Sequence, residues 1–373
     1  MKFFGMYLIT IKNKTDNEYF IHKNIKRILI KEYTINNLIR TILKKRINIF
    51  IQQYSNSKKI NFLEKFKNIR IINYQHQSVF FWIYSNYTYF KSLYKSYKNS
   101  NYIISLIHIE NDYLFEKWGI KSILMNNFIT YEYNSSIPIN LLSRKISMIG
   151  RANDKFKRFI LGIQAMEYIF KEIPKIEMKI ITKISGVDHL QNIIESLNLE
   201  KNIYFYGYTP IPEKFFRNIS LNIITSISES FCLVLSETKI YGIPNILIGL
   251  DYITIGDKGT VIIYDDYPES IAKESIKILK NDEYKNRLGK EGRRSMRPFK
   301  NEKLANKWIK LILSIYCGNY FYEKLRKSGK KLSEKKIINL LKNQISLLKN
   351  RNTNLKDITL NKIVNFSFLV NVK

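Results

Sequence analysis

Cysteine is almost missing: Cys232 and Cys317 are the two in a chain of 373 residues. Two thiols cannot build a disulfide framework or a four-ligand zinc site, and they fit a reducing compartment. Long apolar runs are missing as well. The longest, such as residues 102–107 and 243–250, fall well short of the roughly 18–20 residues that cross a bilayer. Residues 1–10 are apolar but short, and no small-residue cleavage site follows, so a secretory leader is not expected. Acidic residues are scarce: 31 Asp+Glu stand against 62 Lys+Arg, a formal charge of +31. Such an excess suits nucleic acid, an anionic membrane or a phosphate-bearing substrate. It equally suits a compositional bias, because Ile, Asn, Lys and Tyr saturate the chain and lysine is scattered through every segment. No zinc-finger, RNP-type or helix-turn-helix signature accompanies it, so nucleic acid is not the expected partner.

What is present is ordinary globular material, 45% hydrophobic and 25% charged, in a chain too long for one core. Strands are predicted over 28–30, 47–53, 69–74, 102–109 and 122–125, with helices over 36–45, 62–66 and 87–97. That alternation points to βαβ units and a parallel sheet. Residues 131–143 are polar and contain Pro138, which suits a connector. A second series follows: strands over 146–149, 179–184, 203–206, 221–225, 246–248 and 261–263, with helices over 159–170, 190–197, 213–217, 234–241 and 270–279. The expected organisation is an N-terminal α/β domain over 1–145, a second over 146–318, and a basic helical extension over 319–373. Two doubly wound domains in tandem place a ligand cleft between them, at the carboxyl ends of their strands.

The chemistry concentrates in the second series. Ser226, Glu229, Ser230, Phe231, Cys232 and Leu233 form a strand-to-helix turn, and Glu237 lies eight residues beyond Glu229. The helix N-terminus offers free N–H groups to an anion. Glu229 belongs beside that anion, and Glu237 is placed to accept ribose hydroxyls. Upstream, Gly150 allows a tight turn after a strand, and Arg151 and Lys157 are expected to converge on a diphosphate from one loop that also holds Lys155 and Arg158. Residues 206–208, Tyr-Gly-Tyr, end another strand where a nucleobase could lie, and Tyr208 is the candidate there. In the N-terminal half, His76 follows the strand over 69–74 and His108 closes the strand over 102–109; each is either functional or structural.

The ordered set Gly150-Arg151, Lys157, Phe205-Tyr206-Gly207, Ser226, Glu229, Phe231, Leu233, Glu237, Gly242 and Pro244 resembles the donor domain of group 1 (family 4) GT-B glycosyltransferases. Gly259 and the Tyr264-Asp265-Asp266 segment also fall where that family has its closing loop. Ser230 and Cys232 stand where the family has glycines. Residues 1–23 hold only Gly5, so the family's opening strand, Gly-rich loop and helix look missing or remodelled.

The resemblance implies a GT-B fold and a retaining glycosyltransferase that moves a sugar from a nucleotide diphosphate sugar to a glycan or lipid-linked acceptor, in cell-surface polysaccharide, lipopolysaccharide or glycolipid synthesis. Glu229, His76, Arg151 and Lys157 would be its catalytic residues. Gly150, Arg151, Lys157, Tyr208, Glu229, Ser230, Phe231, Cys232, Leu233 and Glu237 would bind the donor. No cofactor or metal is expected, since no Asp-x-Asp triplet occurs and the cations and helix dipole can neutralise the diphosphate. A non-catalytic nucleotide-sugar binder and a polyanion-binding protein are the competing readings. A cytoplasmic location is expected. Tyr87, Lys91, Tyr94 and Lys98 share one helix face, which either packs with its lysines reaching outward or meets an anionic membrane surface.

Overall fold

The computed structural model describes residues 6–10, 25–29, 34–53, 69–129, 143–207, 213–250 and 252–317. The helix over 62–66, the connector over 131–142, Tyr208 and the extension beyond residue 317 lie outside these residues.

The chain opens with β1 (Met6–Thr10) and β2 (Ile25–Leu29), which pair parallel with each other in a two-stranded sheet apart from the rest. Helix α1 (Ile35–Lys44) starts where the Thr34 hydroxyl accepts the Asn37 N–H. Its apolar residues Leu38, Ile39 and Ile42 recur at helical spacing and pack on Ile69 and Ile71. Strands β3 (Ile49–Gln52), β4 (Arg70–Tyr74), β5 (Tyr102–Ser105) and β6 (Ile123–Leu124) form a four-stranded parallel sheet in that order. Between β4 and β5 run α2 (Val79–Ser85) and α3 (Tyr87–Lys98), each begun by a side-chain cap, Ser78 and Asn86 respectively.

One sequence expectation fails here. His108 does not close a strand: β5 stops at Ser105, and His108 is the first residue of α4 (His108–Trp118). The apolar run 103–107 hides the change of period. Beyond it Ile109, Tyr113, Leu114 and Trp118 turn inward, and Gly119 ends the helix at φ 62°.

The second half holds β7 (Lys145–Ile149), α5 (Phe159–Glu172), β8 (Glu177–Ile181), α6 (Asp188–Ser196), β9 (Ile203–Tyr206), α7 (Glu213–Phe216) and β10 (Leu221–Ile224). There follow α8 (Leu233–Ile240), β11 (Asn245–Ile248), β12 (Thr260–Ile263), α9 (Pro268–Lys280), α10 (Asp282–Ser295) and α11 (Asn301–Cys317). Its six strands are parallel in the order β12-β11-β10-β7-β8-β9. The chain therefore leaves β7 in one direction and returns to its other side at β10. That reversal opens a crevice between the carboxyl ends of β7 and β10.

A buried polar row fixes this centre. Ser147 donates to Asn222 (2.8 Å), Asn222 to Asn245 (2.9 Å), Thr238 to Asn245 (2.8 Å), and Asn245 to the Ile243 carbonyl (2.8 Å). Every member has a partner, so the row stabilises one register of β7, β10 and β11 and sets α8 against them. Gly259 leads into β12 at φ 69°, and a Cβ there would lie 2.4 Å from the Gly292 Cα of α10.

Helix α11 returns to the N-terminal sheet. Asn301 accepts the Ile129 N–H (2.9 Å) and donates to its carbonyl (2.8 Å), and Trp308 meets the Tyr74 ring edge-on at 5.3 Å. One hydrophobic cluster runs through both halves, joining Val79 and Phe80 to Phe231, Leu235 and Leu304.

Candidate active site

The crevice at the strand reversal is lined by Ile149, Lys157, Thr225, Ser226, Glu229 and Val234, among others. Gly150 begins its floor with φ 152°, a conformation that favours glycine, and its N–H donates to the Ile181 carbonyl at 3.0 Å. The loop over 150–158 is then stitched to the end of β10. The Thr225 hydroxyl donates to the Lys157 carbonyl (2.6 Å), and the Ile227 N–H to the Phe156 carbonyl (2.9 Å).

Two of the predicted residues meet directly. The Lys157 ammonium pairs with Glu229 Oε1, and both side chains are largely covered. Burial is the largest single influence and pulls the Lys157 ammonium down, but the charge and hydrogen bond of Glu229, with smaller contributions from its other neighbours, together outweigh it and leave the group above its ordinary value. The crevice thus carries a firmly charged cation and an acceptor side by side.

The other cations go elsewhere. Arg151 was expected to converge with Lys157, but it is 75% exposed and bridges to Asp154 at 2.8 Å. Lys155 lies over the Phe156 ring at 5.4 Å. Arg158 turns inward at φ 52°; its Nε donates to the Thr225 carbonyl (2.5 Å) and its Nη1 to Asp266 (2.6 Å). It ties the loop to the ends of β10 and β12. The local pattern of three cations carried no signal for that division of roles.

In the glutamate loop, Cys232 adopts φ 59° at the start of α8, so it occupies the left-handed conformation of a glycine slot at some conformational cost. Its thiol is buried, and burial together with the Glu229 charge raises its pKa far above the ordinary value, which leaves it a neutral, unreactive group. Phe231 is fully buried, against Phe299, so it can offer a ligand only backbone atoms. Leu233 is partly exposed as the first residue of α8, and Glu237 lies one turn further on, half-buried.

Ser230 donates to the His76 carbonyl of the N-terminal half at 2.6 Å. His76 follows β4, packs on Tyr74 with ring centroids 4.5 Å apart, and shares Asn127 with the Tyr74 hydroxyl, which donates to it at 2.7 Å. Burial lowers the His76 pKa, partly offset by the Asn127 hydrogen bond, so the imidazole is neutral near pH 7. His108 is separated from this group at the head of α4, beside Asp112 and Lys307. Sequence reasoning missed Tyr252, whose hydroxyl accepts the Glu229 N–H (3.2 Å) and donates to the Glu229 carbonyl (3.1 Å). Nothing in its neighbourhood in the sequence marks it.

Comparison with known proteins follows this geometry. Residues 132–295 match the family model "Glycosyl transferases group 1". A Staphylococcus aureus poly(ribitol-phosphate) alpha-N-acetylglucosaminyltransferase is 25% identical over 163 residues, 42% of this chain and 33% of that protein. The crystal structure of S. aureus TarM with fondaparinux, alpha-GlcNAc-glycerol and UDP superposes with a TM-score of 0.64 at 20% identity, over 74% of this chain and 58% of that one. Sucrose-phosphate synthase from Thermosynechococcus elongatus gives a TM-score of 0.71 at 15% identity, over 84% and 90%. The chain spans about a third of the curated relative's length. The crevice between β7 and β10, with its glutamate loop and Gly150 turn, falls within residues 132–295, and over that segment the chain matches the group 1 glycosyl transferases and has a GT-B fold.

Proposed function

We propose that this chain transfers a sugar from a nucleoside diphosphate sugar to an acceptor hydroxyl, with retention of anomeric configuration. The observation that carries the reading is the Lys157–Glu229 pair at the strand reversal, beside the N-terminus of α8. As the bond from the anomeric carbon to the diphosphate oxygen breaks, negative charge grows on the departing diphosphate. Lys157, Arg151 and the amides after Cys232 would meet that charge, with Gly150 and Ser230 shaping the loops that hold them. Arg151 would have to leave Asp154 to take part. Glu229 would accept hydroxyls of the transferred sugar, Glu237 those of the ribose, and Tyr208 would border the base. His76, neutral and across from Ser230, would face the sugar and the incoming acceptor.

Residues 1–145 would form the acceptor side and 146–318 the donor side, hinged where the chain crosses between them at 131–145 and again near residue 300. No metal is required on this reading, so EDTA should leave turnover unchanged. The acceptor would be a cell-surface glycan or lipid-linked saccharide. An anionic polymer, like the poly(ribitol phosphate) of the relative, would suit the +31 charge. On α3, Phe90, Leu93 and Tyr97 are buried while Lys91, Lys95 and Lys98 are exposed. That outer face would hold the enzyme on the cytoplasmic side of an anionic membrane, each lysine contributing on the order of 1 kcal/mol. Sedimentation with anionic and neutral vesicles at low salt tests this, and equal pelleting with both would end it.

The main test incubates purified protein with a panel of nucleotide sugars and follows nucleoside diphosphate release and product anomer by NMR. Turnover with an α-donor giving an α-product supports the reading. Nucleotide binding without turnover would instead make the chain a non-catalytic binder.

A further inference from the structure

We propose that Tyr252 is a positioning residue that sets Glu229 through its backbone, an inference that rests on the function proposed above. Glu229 belongs to a loop with no regular structure of its own, between β10 and α8. A carboxylate that must accept sugar hydroxyls needs its Cα fixed to a fraction of an ångström. The Tyr252 hydroxyl supplies that by engaging both backbone groups of one residue: it accepts the Glu229 N–H at 3.2 Å and donates to the Glu229 carbonyl at 3.1 Å. The Ser228 hydroxyl oxygen lies 3.5 Å away on the same side.

The tyrosine keeps its proton for this task, since burial, reinforced by the Glu229 charge, moves its pKa far above the ordinary value despite the opposing hydrogen bonds. The ring itself is held from the other half of the molecule. Phe80 of α2 meets it edge-on with centroids 6.1 Å apart, and the neighbouring Ser230 donates to the His76 carbonyl of the same half. The Glu229 loop is therefore held by two contacts that reach the N-terminal half, and the Tyr252 ring joins its orientation to the approach of the two halves.

Tyr252→Phe removes the hydroxyl and keeps the ring against Phe80. The expected result is a 10- to 100-fold fall in kcat with a change in donor KM below about threefold. In a Glu229→Gln background the same substitution should add less than twofold, because the residue acts through Glu229. Hydrogen exchange of the peptide over 226–233 should be faster in Tyr252→Phe than in the unchanged protein, and that readout needs no turnover. An unchanged kcat, an effect that multiplies fully with Glu229→Gln, or unchanged exchange over 226–233 would each overturn the inference. If the unchanged protein turns over no nucleotide sugar, the proposed function fails instead, and exchange alone decides whether Tyr252 holds the loop.

Discussion

Replacing Arg158 by methionine removes a guanidinium that is 8% exposed and leaves two acceptors behind, the Asp266 carboxylate and the Thr225 carbonyl. Methionine has similar length and fills the space, so the cost is electrostatic and not a cavity. Breaking a buried ion pair by deleting one partner costs about 3–5 kcal/mol. Asp266 is 21% exposed, and water can reach it, which places the expected loss near the lower end, at about 3 kcal/mol. For a unit of roughly 150–250 residues each kcal/mol lowers the melting midpoint by about 2–4 °C, so a fall of about 6–12 °C is expected. Circular dichroism melts and urea titrations of Arg158→Met, Asp266→Asn and the double variant measure it. The double variant should recover part of the loss, because the uncompensated charge is gone. A loss below about 1 kcal/mol, together with loss of nucleoside diphosphate binding, would refute the reasoning. It would mean that Arg158 serves the phosphate and that Lys157 does not hold that role alone.

Other expectations follow from the same geometry. Glu237→Ala should weaken donor binding by about 1–3 kcal/mol, read by calorimetry, while Glu229→Gln should lower kcat more than it alters donor affinity. Glu110 is buried and accepts the Val79 N–H at 2.9 Å; burial raises its pKa from 4.5 to about 7. Because the folded pKa lies above the unfolded one, the stability it contributes is present below about pH 4.5 and is lost as pH rises through about 7. The change amounts to about 3 kcal/mol, and Glu110→Gln should flatten urea-denaturation stability between pH 5 and 8. Gly259→Ala forces a Cβ to 2.4 Å from Gly292 Cα and 2.6 Å from the Leu288 carbonyl at positive φ. It should cost about 2–3 kcal/mol in thermal stability, toward the upper end for overpacking because backbone meets backbone.

The sequence alone determined which stretches become strands and helices wherever one period dominates. The strand over 203–206 matches β9 residue for residue, and those over 146–149 and 221–225 match β7 and β10 to within a residue. The alternating pattern also determined the parallel, doubly wound character, because each helix must return the chain to the same sheet end. The ends of β7 and β10 were legible as well, so Lys157 and Glu229 could be assigned to turns at the carboxyl edge of one sheet, where they line a single crevice. Where two periods overlap, as across 102–109, the pattern misled: an apolar run reads the same in a strand end and in the first turn of a buried helix.

Strand order was a tertiary decision. Only when β10 returns beside β7 do the Gly150 loop and the Glu229 loop, about 75 residues apart, share one crevice. The fate of the cations was decided the same way. Lys157 faces Glu229, Arg158 is taken by Asp266, and Arg151 points outward to Asp154, although all three lie within eight residues. Tyr252 acquires its place only because the segment after β11 folds back onto the loop after β10. Spacing along the chain specifies which side chains share a turn. Which of them lose water, and to which partner, depends on surfaces brought together from distant segments, and the ionic and hydrogen-bond energies that sort them do not exist until those surfaces meet.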